Sequence, residues 1–345
     1  MQRICTSLQQ NGYNVTLVGV LRKSSIQLSS QIFTQKRINI FFEKGFLFYA
    51  EYNLKLFFYL LFAKTNAICA IDLDTILPCY FVSFFKRNKR VYDAHEIFTE
   101  MKEVLENKRV LWFWTTIEKI FIPKFKLGYT VNKFMQDEFY RRYKRNYEIV
   151  RNIPLKTLQN SRLQDSDNFV IYQGAVNEGR AFEQLIPAMQ QVNCELRIYG
   201  KGNFFEQTKS LIYQYNVEDK VKLMGAFLPN ELNNITPIAL LGITIFDAEG
   251  MNQYYSLANR FFDYTMAGIP QICVNYPEYK TINDEYNIAL LIDDVQPQTI
   301  ATAINEMLDN KELYETLKRN CILAREKLNW QNEEIKLINY WNKIL

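Results

Sequence analysis

The stretch Phe169-Val170-Ile171-Tyr172-Gln173-Gly174 decides the fold. β-branched and aromatic residues fill it and a glycine ends it, as in a buried strand that stops at a turn. A helical pattern opens near Ala181, and a second strand pattern over residues 195–199 ends at Gly200. Strand, helix and strand in this order predict a βαβ unit with parallel strands.

The same alternation continues in both directions. Five strands are predicted before this stretch, over residues 14–20, 38–42, 67–71, 90–92 and 127–131. Four more follow residues 195–199, over residues 220–224, 239–246, 271–275 and 288–292. Two such series predict an α/β protein with two doubly wound Rossmann-like domains.

The two series meet near residues 152–168, where Asn152-Ile153-Pro154 and a polar stretch interrupt the pattern. We therefore predict an N-terminal domain over residues 1–155 and a C-terminal domain over residues 156–328. Apolar residues at near-helical spacing predict an amphipathic helix over residues 329–345. A chain of 345 residues suits two domains of about 150 residues each.

Composition is that of an ordinary folded protein, with 48% hydrophobic and 23% charged residues. The net charge of +4 conceals a split between the halves. Residues 1–160 hold 25 basic and 13 acidic side chains, which leaves 41 − 25 = 16 and 37 − 13 = 24, so the halves carry about +12 and −8. The basic half predicts an anionic partner, and charge alone leaves nucleic acid and membrane open.

The six cysteines are scattered and the chain has one histidine, which disfavours a zinc site and a disulfide framework. No signal peptide or membrane-spanning run is evident, and we expect a cytoplasmic protein.

Glycines mark a candidate phosphate site in the second half, since eight of the twelve lie between Gly174 and Gly268. Gly174 follows a strand and precedes a helix with Arg180 at its start, and Gly200-Lys201-Gly202 follows the next strand. Helix N-termini and arginine both favour phosphate. Tight turns between strand and helix are the alternative. Neither a GxGxxG fingerprint nor a P-loop is present.

A second candidate group lies in the segment from Tyr255 to Pro270. Asn259, Arg260 and Asp263 are neighbours on its predicted helix. A carboxylate near a phosphate site suits the vicinal hydroxyls of a ribose. A solvated ion pair between Arg260 and Asp263 is the alternative.

In the first half, the only histidine, His95, lies between Asp93 and Glu96 just after a predicted strand. Residues at such a strand end line a cleft, although a lone histidine is often structural. Asp72 and Asp74 also end a strand, with a spacing found in metal and nucleotide sites or in a simple turn.

Two basic clusters, over residues 86–90 and 141–145, supply eight positive charges. They form either a solvated surface or, together with the apolar stretch over residues 56–59, a surface for anionic lipid headgroups.

Taken in order, these motifs resemble family 4 glycosyltransferases of the GT-B type over almost the whole chain. The resemblance is carried by Asp72-Leu73-Asp74-Thr75, Tyr92-Asp93-Ala94-His95-Glu96, Val150-Arg151-Asn152-Ile153-Pro154, Tyr172-Gln173-Gly174 with Gly179-Arg180, Tyr199-Gly200-Lys201-Gly202, Asn259-Arg260-Phe261-Phe262-Asp263-Tyr264 with Ala267-Gly268-Ile269-Pro270, and the closing Trp330 helix.

The resemblance implies a retaining, metal-independent transfer of a sugar from a nucleotide-sugar donor on the second domain to an acceptor on the first, across a cleft. It assigns Arg180 to the donor diphosphate, Asp263 to the ribose and His95 to the donor sugar. His95 and Arg180 are then the predicted catalytic residues, and the closing helix returns to the first domain. Further donor contacts are predicted at Gly174, Gly200, Lys201, Tyr255, Ser256, Asn259 and Arg260, and acceptor contacts at Asp72, Asp74, Asp93 and Glu96. No cofactor besides the nucleotide sugar is expected.

Three positions depart from the family pattern. Tyr255 stands where the family has an acidic residue, so Glu249 or backbone N–H groups near Ser256 would have to replace it. Ala175 stands where many relatives have a second arginine. Residues 1–3 align within the first helix, so the usual opening strand and glycine-rich loop are expected to be missing.

The sequence therefore predicts a hexosyltransferase-like enzyme that uses a UDP- or GDP-sugar to build a cell-surface polysaccharide or lipid-linked saccharide. We expect it at the inner face of the plasma membrane, in peripheral contact with anionic lipid and without nucleic acid. Two alternatives remain: a non-catalytic nucleotide-binding protein with this fold, and a sugar-nucleotide epimerase.

Overall fold

A computed structural model describes the chain except for Ser24, Ile26, residues 157–167 and Glu249. The chain divides into two compact units. Unit 1 comprises Met1–Arg151 and Glu333–Leu345, and unit 2 comprises Asn152–Asn332.

The first element of unit 1 is a helix, and strands and helices then alternate. The elements up to residue 151 are α1 (Gln2–Gln10), β1 (Thr16–Leu21), β2 (Thr34–Asn39), α2 (Gly45–Phe62), β3 (Ala67–Ile71), α3 (Ile76–Lys86), β4 (Lys89–Ala94), α4 (Lys102–Leu105), α5 (Lys108–Phe121), β5 (Leu127–Thr130), α6 (Lys133–Tyr143) and β6 (Glu148–Ile149).

Unit 2 continues the alternation. Its elements are β7 (Phe169–Gln173), α7 (Phe182–Ala188), β8 (Glu195–Tyr199), α8 (Phe205–Gln214), β9 (Val221–Gly225), α9 (Pro229–Ile235), β10 (Leu241–Thr244), α10 (Met251–Tyr254), α11 (Asn259–Ala267), β11 (Gln271–Val274), α12 (Pro277–Tyr286), β12 (Ala289–Ile292), α13 (Pro297–Asp309) and α14 (Lys311–Ala324). The last helix, α15 (Trp330–Asn342), begins in unit 2 and lies mostly in unit 1.

The strands of unit 1 pair in parallel in two sheets. β1 pairs with β2, and the second sheet has the order β3-β4-β5-β6. The C-terminal part of α15 packs in this unit, where Tyr340 lies 5.6 Å from the ring of Tyr129 and Trp341 lies 6.3 Å from the ring of Tyr13.

Unit 2 is built on one six-stranded parallel sheet with the order β12-β11-β10-β7-β8-β9. The chain runs outward from β7 to β9 and then returns to the other side of β7 with β10. The order of the strands therefore reverses between β7 and β10, which makes this the switch point where doubly wound sheets bind ligands. β7, β10 and β11 are buried at every residue, which explains their continuous apolar sequences.

The α/β class with parallel sheets is confirmed, whereas several strand bounds differ from the prediction. The strand predicted over residues 38–42 instead spans Thr34–Asn39, because these residues pair in register with Thr16–Leu21. Phe41, in the predicted strand, has 81% of its surface exposed. The strand predicted over residues 239–246 ends at Thr244, so Ile245 and Phe246 lie beyond the ladder. The two-residue strand β6 was not predicted.

Among the residues that the structure describes, no helix has the length and apolar character needed to cross a bilayer.

Candidate functional site

The loops that follow β7 and β8 approach each other so closely that only glycine fits. A Cβ atom on Gly200 would lie 1.8 Å from the carbonyl oxygen of Gly174, and one on Gly202 would lie 2.1 Å from Asn177 Oδ1. Gly174 also has a φ of 129°, which side chains other than hydrogen disfavour. These glycines therefore fix the shape of the switch-point edge of unit 2.

Arg260 on α11 joins the ends of the two strands at the switch point. Its Nη1 donates a hydrogen bond of 3.1 Å to Tyr172 Oη on β7, and its Nη2 donates one of 3.2 Å to the carbonyl oxygen of Ile245 after β10. The guanidinium lies over the rings of Tyr172 and Phe246, and the residue is 7% exposed. Arg260 is thus a buried brace, which corrects the alternative of a solvated surface ion pair.

Arg180 lies on the same aromatic ring. Its guanidinium carbon is 4.6 Å from the centre of the Phe246 ring, and that of Arg260 is 4.4 Å from the same centre. Arg180 is half-buried and stands between Gly179 and Ala181, which have φ values of 78° and 55°. Positive φ at an alanine is strained, and such strain concentrates at functional positions.

Two cationic side chains therefore pack on the ring of Phe246 at the switch point. Phe246 is fully buried, and its carbonyl oxygen accepts a hydrogen bond of 2.7 Å from Tyr276 Oη. Sequence reasoning missed Phe246 because it counted the residue as the last position of a strand. Two fixed guanidinium groups near the ends of β7 and β10 favour an anionic ligand.

Asp263, the predicted ribose ligand, also lies at this edge. Its Oδ2 accepts a hydrogen bond of 3.0 Å from Gln173 Nε2, at the end of β7 beside Gly174. Gln173 is buried, and its Oε1 accepts a hydrogen bond of 2.6 Å from Thr236 Oγ1. Gln173 thus orients Asp263, a role that the sequence did not reveal.

The remaining predicted donor residues are placed less centrally. Ser256 Oγ lies 3.2 Å from Tyr279 Oη, and the ring of Tyr255 lies 4.9 Å from that of Tyr254. Asn259 is exposed at the start of α11. The exposed side chain of Lys201 reaches toward Gly225, although its backbone oxygen accepts a hydrogen bond from Val176 N. Glu249, the suggested substitute for the family's carboxylate, lies outside the described residues.

In unit 1, the carboxyl ends of β3 and β4 bring Asp72, Asp93 and His95 together. Asp72 Oδ1 accepts a hydrogen bond of 2.8 Å from the backbone N–H of His95, and Asp72 N donates one of 2.9 Å to the carbonyl oxygen of Asp93. His95 Nε2 lies 3.1 Å from Asp93 Oδ1. Asp72 has a φ of 52° and a ψ of −179°, a combination that is rare outside glycine.

The surroundings of His95, Asp72 and Asp74 raise the pKa values of all three groups. Burial lowers the pKa of His95, but the nearby carboxylate of Asp93 and the charge of Asp72 outweigh it, so the pKa of His95 is raised. Burial raises the pKa of Asp72 to about 7 and that of Asp74 to about 6. Asp72 and Asp74 therefore titrate closer to neutral pH than exposed carboxyl groups do.

Glu96 and Asp74 lie beside this group. Glu96 is exposed, and its backbone N–H points at Asp72 Oδ1 from 3.4 Å. Asp74 is half-buried in the turn after β3, where its carbonyl oxygen accepts a hydrogen bond of 2.9 Å from Asn53 Nδ2. All four predicted acceptor-side carboxylates thus belong to the carboxyl edge of the β3-β4 pair.

These parallel sheets and their connections define the GT-B fold, the fold of a large class of glycosyltransferases. Residues 156–323, slightly under half of the chain, match the family model described as glycosyl transferases group 1. No curated protein matches the sequence significantly.

Solved structures share the fold at low sequence identity. Sucrose-phosphate synthase from Thermosynechococcus elongatus has a TM-score of 0.74 at 14% identity, over 99% of this chain and 91% of its own. HepE from Anabaena in complex with UDP-glucose has a TM-score of 0.71 at 13% identity, over 90% and 86%. A glycosyltransferase from Rickettsia africae ESF-5 has a TM-score of 0.71 at 11% identity, over 99% and 93%.

Proposed function

We propose that this protein is a glycosyltransferase that binds a nucleotide sugar at the switch point of unit 2. The observation that supports this proposal most strongly is that the guanidinium groups of Arg180 and Arg260 both lie on the ring of Phe246. The family match over residues 156–323 and the binding of UDP-glucose by the similarly folded HepE support this assignment.

Cations at this edge suit the chemistry of sugar transfer. Breaking the bond between sugar and diphosphate builds negative charge on the leaving group, so fixed positive charge stabilises the transition state more than the ground state. In this proposal Arg180 contacts the diphosphate and Asp263 the ribose. Gly174 and Gly200 let the ligand approach the backbone, while Arg260 holds Phe246 and the strand ends in place.

Unit 1 supplies the acceptor side in this proposal. We assign His95 to the donor sugar. Its raised pKa extends the pH range in which the imidazole is protonated, and an imidazolium donates hydrogen bonds to hydroxyl or phosphate oxygens. Asp72, Asp74, Asp93 and Glu96 bind acceptor hydroxyls. The proposed reaction is a retaining, metal-independent hexosyl transfer without a further cofactor.

The proposed setting is the synthesis of a cell-surface polysaccharide or lipid-linked saccharide. The support is the basic character of residues 1–160, which carry about +12. We place the protein in peripheral contact with anionic lipid at the inner face of the plasma membrane, where such acceptors are held.

The direct test is turnover of a panel of UDP- and GDP-sugars with saccharide and lipid-linked acceptors, followed by mass spectrometry of the products. We expect one donor class to yield a glycosylated acceptor. Absence of product with every donor and acceptor, in protein that still responds to nucleotide, would favour a non-catalytic binding protein.

That second candidate is favoured by Tyr255, an uncharged side chain where the family pattern has a carboxylate. Incubation with the nucleotide sugar and no acceptor distinguishes an epimerase, because only an epimerase converts the nucleotide sugar into its isomer under these conditions.

A further inference from the structure

Three helices of unit 1 expose an unusual number of large apolar side chains. They lie on α2, α3 and α5 and are, with their exposed fractions, Leu54 59%, Phe58 50%, Phe62 82%, Phe81 41%, Phe84 58%, Phe85 64%, Trp112 70% and Ile120 50%. Single exposed apolar residues are common on folded proteins, but a concentration of this size marks an interaction surface.

The three helices contact one another. Lys86 Nζ on α3 donates hydrogen bonds of 3.2 and 3.3 Å to the carbonyl oxygens of Leu60 and Leu61 on α2. The rings of Tyr49 on α2 and Trp114 on α5 are 5.2 Å apart, and those of Phe81 and Phe121 join α3 to α5 at 5.8 Å.

The topology of the sheet places α3 and α5 in one layer, and α2 lies next to both through the contacts given above. α3 links β3 to β4, and α5 links β4 to the next strand, β5, in the same direction across the sheet. Right-handed crossovers that proceed in one direction lie on the same side of a parallel sheet. The outer sides of the helices therefore form one surface, which we call the aromatic-basic face.

Packing within unit 1 does not explain the exposed apolar residues of α2. Its buried residues, Phe48, Tyr52, Leu56 and Leu60, recur every four positions, and its exposed residues Leu54, Phe58 and Phe62 recur every four positions on another side. A helix that packs against a core needs only one apolar stripe. The second stripe is directed at something outside unit 1.

The same three helices and their ends also carry exposed basic side chains. Lys64, Arg87 and Lys89 are exposed where α2 and α3 end, and Lys108, Arg109 and Lys119 are exposed on α5. The face is thus both apolar and cationic, which is the combination that anionic lipid surfaces bind.

The second basic cluster predicted from the sequence contributes less. Arg141 donates to Glu138, and Arg142 binds Glu138 and Glu100 at 2.8 and 2.7 Å. Carboxylates therefore pair with Arg141 and Arg142, two of the four basic residues of this cluster.

We propose that the aromatic-basic face docks on a bilayer that contains anionic lipid, with the phenylalanine and tryptophan rings at the headgroup level. The proposal deepens the peripheral contact suggested above and does not depend on sugar transfer. A second copy of the chain fits this face less well. A two-fold contact between two such faces would bring positive charges opposite positive charges.

A flotation assay of the full chain tests the proposal. One set of vesicles contains phosphatidylcholine alone, and the other also contains about 30% phosphatidylglycerol, an anionic lipid. We expect flotation only with the anionic vesicles. The triple change Phe62→Ser, Phe84→Ser and Phe85→Ser, and the double change Lys64→Glu and Lys89→Glu, should each lower the bound fraction at least tenfold.

Matched controls lie in unit 2. The changes Tyr213→Ser with Leu323→Ser remove exposed apolar side chains, and Lys209→Glu with Lys311→Glu reverse exposed charges. Both control proteins should float like the wild type. Melting temperature and its response to nucleotide are measured on every variant, so a folding defect or a failure of nucleotide binding is seen separately from lipid binding.

Three results overturn the proposal. The first is flotation of the face variants at the wild-type level, and the second is flotation of neither the wild type nor the variants. The third is a wild-type dimer in light scattering that the phenylalanine changes convert to a monomer while flotation is unaltered, which would assign the face to self-association.

Discussion

At the scale of single residues, the two arginines on Phe246 have different roles. Arg260 is buried with both guanidinium ends hydrogen-bonded, whereas Arg180 is half-buried. We therefore expect Arg260→Met to lower the free energy of unfolding by about 1–3 kcal/mol, because Ile245 O loses its donor and the buried rings lose their cation. Arg180→Ala should cost less than about 1 kcal/mol. Urea denaturation measures both, and equal losses would contradict this division of roles.

A second prediction at the residue scale concerns the catalytic role proposed for His95. If His95 contacts the donor sugar in the transition state, His95→Ala lowers kcat by about a hundredfold or more while KM for the donor changes little. Steady-state kinetics with the active donor measures the two constants. Wild-type kcat in this variant would remove His95 from the catalytic residues.

Asp72 predicts a pH dependence of stability. Its pKa is about 7 in the folded chain and about 3.9 in an unfolded one, so the folded state retains a proton that the unfolded state loses. The stability that this proton confers is full below about pH 4 and is lost as the pH rises to about 7. Asp72→Asn should remove this term, by up to about 1.4 kcal/mol per pH unit.

The measurement is urea denaturation of both proteins from about pH 4 to about pH 7.5, which covers the interval between the unfolded and folded pKa values of Asp72. The variant should gain stability relative to the wild type as the pH rises. A difference that is constant with pH would show that Asp72 is ionised throughout.

At the scale of elements, the strand-to-helix turns of unit 2 carry the site. Gly200→Ala forces a Cβ atom against Gly174 O, so we expect a loss of at least about 2 kcal/mol in the free energy of unfolding and weaker nucleotide binding. Gly19→Ala on β1 is the control, because among the described residues, its own chain neighbours aside, no atom lies within 4 Å of its Cβ position. Equal stability of the two variants would contradict the close approach.

Elements also show how far sequence alone reaches. β7 and β8 were predicted to the residue. β7 is buried at every position and reads as a continuous run, whereas β8 alternates polar and apolar residues and ends at Gly200. β2 was misplaced, since its position depends on register with β1 and several of its residues are polar. Phe246, Gln173 and Thr236 were missed as site residues because their roles arise from packing between distant segments.

At the scale of the whole molecule, the difference in net charge between the basic first half and the acidic second half can be related to features of each unit. The basic half holds the aromatic-basic face, whereas the acidic half places Arg180 and Arg260 on the ring of Phe246, near the ends of β7 and β10. Overall charge therefore predicts a partner for the first half and misleads about the second. The motifs and their order were readable from the sequence because most of them follow a strand, whereas the electrostatics of the site depend on packing between distant segments.

Binding of a nucleotide sugar at the switch point of unit 2 is the central claim, and calorimetric titration of UDP- and GDP-sugars tests it most directly. We expect one of them to bind the wild type, and Arg180→Ala to weaken that binding at least tenfold. Arg197→Ala is the matched control, since Arg197 lies 4.0 Å above the ring of Phe169, a different phenylalanine of this unit. It should bind like the wild type. Binding that is absent from all three proteins, or equal in all three, would contradict the account.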